Sequence, residues 1–133
     1  MTKSSVFLLD ANVLIALATA DHSLHTRAMK WFHNGPRFAT CPLTEGALVR
    51  FHMRWGVDPS VHTAKSILRQ IDLHLRHEFW PDDASYVELP EKGVIGHRQV
   101  TGAYLVLLAQ KHGGLLATMD DGLAAIHKSA ALI

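Results

Sequence analysis

Val6-Phe7-Leu8-Leu9-Asp10-Ala11-Asn12-Val13-Leu14-Ile15-Ala16-Leu17 is the stretch on which the architecture turns. Its first four residues form a short continuous apolar run. Such a run suits a strand buried on both faces, the normal condition of a strand inside a parallel sheet. The run stops at Asp10, and Val13, Leu14, Ile15 and Leu17 then begin a helix. Working outward, Asp21 is placed to cap a second helix from His22 to His33, with Leu24, Ala28, Trp31 and Phe32 on its apolar face. Asn34-Gly35-Pro36 stops that helix. Phe38-Ala39-Thr40 reads as a second strand. Pro42 and Thr44 open a helix carrying Leu43, Ala47, Leu48 and Phe51, broken between Gly56 and Pro59.

Either Ser60 or Asp58 caps the following helix, in which Val61, Ala64, Ile67, Leu68, Ile71 and Leu75 recur at helical spacing. Trp80 to Asp83 reads as a loop, and Tyr86-Val87-Glu88-Leu89 as a third strand near an edge. Thr101 caps a strongly apolar helix running through Ala103 to Ala109, which His112-Gly113-Gly114 ends. Leu115 to Thr118 is a fourth strand, Leu123 to His127 a short helix, and Ala130 to Ile133 a last strand. Strands alternating with helices predict a mostly parallel central sheet covered on both faces, a three-layer α/β/α sandwich.

Length and composition agree with one domain spanning residues 1–133. Hydrophobic residues make up 48% and the mean hydropathy is +0.09, which excludes a disordered tail protein. One cysteine, Cys41, leaves no intramolecular disulfide and no cysteine zinc cluster, as suits a reducing compartment. No apolar run approaches the roughly 18–20 residues that cross a bilayer. The apolar stretch before Asp10 is too short for a signal peptide. A soluble, cytoplasmic protein with no membrane association is expected.

The net charge of +1 hides a division. Residues 22–76 carry eight Lys/Arg and three Asp/Glu, whereas residues 77–133 carry four and seven. A basic centre beside an acidic end suits a polyanion held near carboxylates, although scattered solvated faces produce the same balance. The ten histidines include no His-x-x-x-His or His-Glu-x-x-His pattern, so most of them read as surface residues.

In parallel α/β sheets the working site lies beyond the carboxyl ends of the strands. Asp10 follows the first strand, Glu45 lies in the first helical turn after the second, and Asp120-Asp121 follows the fourth. Each has a bland reading on its own: a helix cap for Asp10, a favourable first-turn charge for Glu45, a turn and cap for Asp120-Asp121-Gly122. Together they converge on one sheet edge. Clustered carboxylates repel, and a hard divalent cation such as Mg2+ or Mn2+ relieves the repulsion.

Four segments resemble the motifs of PIN-domain nucleases: Leu8-Leu9-Asp10-Ala11-Asn12-Val13-Leu14-Ile15-Ala16-Leu17, Phe38-Ala39-Thr40-Cys41-Pro42-Leu43-Thr44-Glu45, Val100 to Ala109, and Leu116-Ala117-Thr118-Met119-Asp120. They occur in order over nearly the whole chain. Within that family the chain looks most like the VapC toxins of bacterial toxin–antitoxin pairs, in the mycobacterial-type branch with a Phe-Ala-Thr-Cys-Pro segment.

The resemblance implies a metal-dependent endoribonuclease. Asp10, Glu45 and Asp120 would hold Mg2+ or Mn2+, and Asn12 and Thr118 would position ligands or water. Arg27, Lys30, Arg50 and Arg54 would meet the RNA backbone, contacts that give position rather than sequence. A structured RNA, transfer or ribosomal, a VapB-like antitoxin and a homodimer are the family expectations. Trp31, Phe51 and Trp55 offer apolar contact surface, with core packing the competing role, above all for Trp31. One position departs. Gly102 stands where the family usually has an aspartate metal ligand, so impaired catalysis is expected. Asp121 is the nearest carboxylate that could compensate. The alternative function is a catalytically inactive PIN-like module that binds antitoxin or RNA.

Overall fold

The computed structural model describes residues 5–133. Five strands form one sheet in the order β3-β2-β1-β4-β5: β1 (Val6–Leu9), β2 (Arg37–Thr40), β3 (His77–Phe79), β4 (Leu115–Thr118) and β5 (Ala130–Leu132). Every neighbouring pair is parallel. Six helices connect them: α1 (Ala11–Ala18), α2 (His25–Phe32), α3 (Pro42–Trp55), α4 (Val61–Asp72), α5 (Val100–Lys111) and α6 (Asp121–Ile126). The parallel α/β/α sandwich expected from the sequence is the fold observed.

Strand alternation divides the core into two layers. Leu9, Phe38 and Ala117 point toward α1 to α4, where they meet Val13, Leu14, Leu48 and the half-buried Trp31, Phe51, Ile67 and Ile71. Leu8, Ala39, Cys41 and Leu116 point the other way, onto Tyr104, Leu105, Leu108 and Ala109 of α5. Because α5 contributes six buried residues, it is apolar nearly all round, as a helix packed deep against a sheet must be. Cys41 is free, and burial pushes its thiol up to about 11, which makes it an inert packing residue.

The chain builds outward from β1 through β2 to β3, then crosses over α5 to β4 on the other side of β1. Strand order therefore reverses between β1 and β4. Crevices open at such a reversal, beyond the carboxyl ends of the strands.

Five local expectations are corrected. Tyr86–Glu88 is a 3-10 turn rather than a strand, and the third strand is His77–Phe79. Ser85 Oγ takes the Val87 N–H, and Tyr86 stacks on Tyr104 at 4.4 Å, so this segment is anchored by a side chain rather than a ladder. The second helix begins at His25, because the His22 imidazole accepts the Leu24 N–H and holds a turn where the helix was expected; Asp21 caps nothing. α5 begins at Val100, which places Thr101 inside its first turn. α4 ends at Asp72 and leaves Leu75 fully exposed. Ser60, not Asp58, is its N-cap, through a bond from the Thr63 N–H to Ser60 Oγ. The start of α6 likewise shifts, from Leu123 to Asp121.

Candidate active site

Asp10 occupies the N-cap position of α1, yet its side chain makes no capping hydrogen bond. Its carboxylate is turned to another partner. The register that pairs Leu9 with Ala117 carries Asp10 alongside Thr118, whose hydroxyl donates to Asp10 Oδ2 at 2.8 Å. Thr118 is fully buried, and its oxygen also accepts the Asp120 N–H at 3.1 Å. One threonine thus ties together two segments 108 positions apart.

Asp120 caps α6, with Oδ1 accepting the Leu123 N–H at 3.1 Å. Both acids line one cleft of about 550 Å³, shared with Asn12, Arg98, Gln99, Gly102 and His127. Asp120 Oδ2 makes no hydrogen bond among the described residues, while the Asp10 carboxylate faces the Ala11 N–H besides the Thr118 hydroxyl. Burial pushes the Asp10 carboxyl above its ordinary value; the Thr118 hydroxyl opposes the rise and the Asp120 charge adds to it. A buried carboxyl pushed above its ordinary value, with a second acid in the same cleft, fits a hard divalent cation.

Glu45 stands at the same sheet edge, one strand over, in the first turn of α3. It is grouped differently. The Thr40 hydroxyl donates to Glu45 Oε2 at 2.6 Å, and Thr40 Oγ1 lies 2.7 Å from His77 Nε2. Glu45, Asp72 and His77 bring one ligand-type atom each within 4.8 Å of one another. Burial raises the Glu45 carboxyl above its usual range, Thr40 opposes, and Asp72 and Asp82 add to the rise. Strand alternation explains the grouping: Thr40 shares the face of Phe38, toward α1 to α4, while Asp10 and Thr118 share the face of α5.

Gly102 lines the Asp10–Asp120 cleft from the first turn of α5 and brings no carboxylate. A Cβ there would meet Leu123 Cδ1 at 3.1 Å and Cδ2 at 3.2 Å. Leu123 has closed onto the space that a side chain would use, and only its flexible tip stands in the way. Asp121 is exposed on α6 and is not part of the cleft wall.

The expected RNA contacts divide. Lys30, Arg50 and Arg54 are exposed, with the Arg54 guanidinium 4.9 Å from the centre of the Trp55 ring. Arg27 is exposed too, but it clasps the Ile133 carbonyl, donating from Nε at 2.8 Å and also from Nη2. Among the aromatics, Trp31 and Phe51 pack in the core while Trp55 is 65% exposed.

Sequence reasoning missed Arg98, Gln99 and His127 in the cleft and Thr40, Asp72 and His77 around Glu45. Arg98 carried one usable signal, a cation just ahead of the helix that ends at the cleft. His77 carried none while its strand went unread.

The geometry has counterparts. The PIN domain family model matches residues 7–129. Ribonuclease VapC29 of Mycobacterium tuberculosis is 49% identical over 127 residues, covering 95% of this chain and 94% of the relative. Two solved structures share the fold. VapBC2 from Rickettsia felis, bound to a DNA fragment from its promoter, superposes at a TM-score of 0.63 with 14% identity over 96% and 97% of the two chains. M. tuberculosis VapC20, a toxin that cleaves the sarcin–ricin loop, also gives 0.63, with 18% identity over 91% and 95%.

Proposed function

Since this chain belongs to the PIN-domain family, among the VapC ribonucleases, we propose that it is the toxin of a VapBC-type pair. In this reading it is an endoribonuclease, acting as one domain, that uses Mg2+ or Mn2+ and cleaves slowly. The observation that carries the reading is the Asp10–Thr118–Asp120 junction at the β1/β4 reversal, with Gly102 in the same cleft.

Asp10 and Asp120 hold the cation, and Glu45 supplies a third carboxylate from the end of β2. Bound there, Mg2+ or Mn2+ supplies Lewis acidity toward the phosphodiester and lowers the pKa of water. Thr118 fixes the direction of the Asp10 carboxylate, and Asn12 orients what enters beside it. Arg98 meets the phosphate of the bound strand with the positive charge that the acids would otherwise repel. Lys30, Arg50 and Arg54 follow the RNA backbone outside the cleft; Arg27 adds charge from a fixed position. A single-stranded or looped segment of tRNA or rRNA fits the reading, because bases there can be splayed into a cleft.

Gly102 sets the rate. Without a carboxylate at the first turn of α5, the chain would offer a bound cation one protein ligand fewer and so a looser hold on the reacting geometry. A second reading draws on the same observation: the chain binds a VapB-like antitoxin, or RNA, without cleaving. Incubating purified protein with total RNA, with and without Mn2+, separates the two. Slow Mn2+-dependent cleavage supports the enzyme; RNA binding with no cleavage at any Mn2+ concentration supports the binding module. Co-expression with the neighbouring reading frame, followed by light scattering, tests the antitoxin and the homodimer.

A further inference from the structure

A hydroxyl carries one hydrogen to donate and two lone pairs to accept with. Thr40 Oγ1 sits between Glu45 Oε2 at 2.6 Å and His77 Nε2 at 2.7 Å. A carboxylate has no hydrogen to give, so the Thr40 hydrogen goes to Glu45. The bond on the other side must then come from the imidazole, with Nε2 carrying its proton. Thr40 is fully buried and the His77 side chain is 4% exposed, so water offers neither an alternative.

Strand pairing builds this arrangement. His77 pairs with Phe38 across β2 and β3, and Thr40 lies two residues beyond Phe38 on the same face. The His77 ring packs against Phe38 at 5.3 Å, which restricts its swing. Asp72 Oδ1 lies 3.8 Å from Nε2, beyond hydrogen-bond range, which leaves the Asp72 carbonyl as the other acceptor facing the ring.

We propose that Thr40 and His77 are positioning residues that lock the Glu45 carboxylate in one orientation for cation binding, His77 acting only through the Thr40 hydroxyl. This rests on Glu45 belonging to the site described under the proposed function. A glutamate reaches its ligand through several rotatable bonds. Left free, it spreads its charge over several positions; tied at Oε2, it presents one. Partners that orient ligands in this way change metal affinity by roughly 10–100-fold when removed.

Two measurements test the inference. The first uses the unaltered protein without metal: long-range 1H–15N NMR of the histidine rings at mildly alkaline pH, where imidazole is neutral. His77 is expected in the Nε2–H tautomer. The Nδ1–H tautomer would overturn the inference, because Nε2 would then accept from Thr40 and leave nothing for Glu45.

The second is Mn2+ titration by calorimetry of the folded full chain. Thr40→Val, which keeps the shape and removes the hydroxyl, is expected to weaken Mn2+ binding about tenfold. Thr40→Ser is expected to rescue it, and His77→Phe to fall between. Retained affinity in Thr40→Val, together with loss in Glu45→Gln, would overturn the positioning role and leave the site intact. Retained affinity in Glu45→Gln would remove Glu45 from the site, and both readings with it. Should Thr40→Val fail to fold, the tautomer decides.

Discussion

Two threonines end the strands on either side of β1 and do the same work by different means. Thr118, at the end of β4, donates to Asp10 and accepts from the backbone N–H of Asp120. Thr40, at the end of β2, donates to Glu45 and is backed by the ring of His77. In the first case the backing group is a main-chain N–H, which only proline would delete. In the second it is a side chain on a three-residue edge strand. Asp10 is therefore oriented by the fold itself, and Glu45 by one particular residue choice. The two sides also differ in completeness: every acid on the Glu45 side has a partner nearby, whereas the Asp10 side faces a glycine.

The test with the largest expected effect attacks that incompleteness. Gly102→Asp adds a carboxylate on the Asp10 side only. It should raise Mn2+-dependent cleavage on the order of 10²-fold, the scale on which misplaced catalytic geometry acts. The Leu123 tip needs to move only a few tenths of an ångström to admit the added Cβ. Equal rates of RNA cleavage by the two proteins would mean that three carboxylates suffice here.

Next in size is the contrast between the threonines themselves. Thr118→Val should cost about tenfold in Mn2+ affinity measured by calorimetry, with Thr118→Ser close to the parent. If Thr118→Val is harmless while Thr40→Val is not, the main-chain-backed device is dispensable and the comparison inverts.

Asp10→Asn should stabilise the fold at neutral pH while abolishing metal binding, by roughly 0.5–2 kcal/mol, as removal of strained site residues commonly does. The sign follows from linkage. Burial raises the folded-state pKa of Asp10, so its ionised form weakens the native state above that pKa. The advantage of asparagine should shrink as pH falls through the raised folded pKa toward the ordinary aspartate value. Urea denaturation at a series of pH values checks this, and a gap that widens in acid would contradict it. The smallest effect expected is from Arg98→Gln: a few-fold weaker RNA binding, with a salt dependence shallower by about one phosphate contact.

Much of this was legible from residues alone. β1, β2 and β4 are short apolar runs, and an acid or its threonine follows each; period and breakers were enough to place them. β3 escaped because His77-Glu78-Phe79 is brief, polar and at an edge, so its apolar signal is weak, while Tyr86-Val87-Glu88-Leu89 has the composition of a strand without neighbours to pair with. The error carried forward. With β3 misplaced, His77 could not be set beside Thr40, and the support of Glu45 stayed invisible. The Asp10–Asp120 junction was legible because strand ends alone define it, whereas the Leu123 tip against Gly102 depends on how α6 packs, which no spacing encodes.

The position of β1 has a consequence for synthesis. Of the five described strands it is the first to leave the ribosome, yet it lies in the middle of the sheet, between β2 and β4. Its second neighbour, and the threonine that orients Asp10, arrive 108 residues after Asp10 itself. Until translation passes Thr118 there is no cleft, only an exposed apolar strand edge waiting for a partner. An interrupted message therefore yields a fragment without the Asp10–Asp120 cleft and prone to aggregation and proteolysis. That ordering ties anything the cleft does to translation past Thr118.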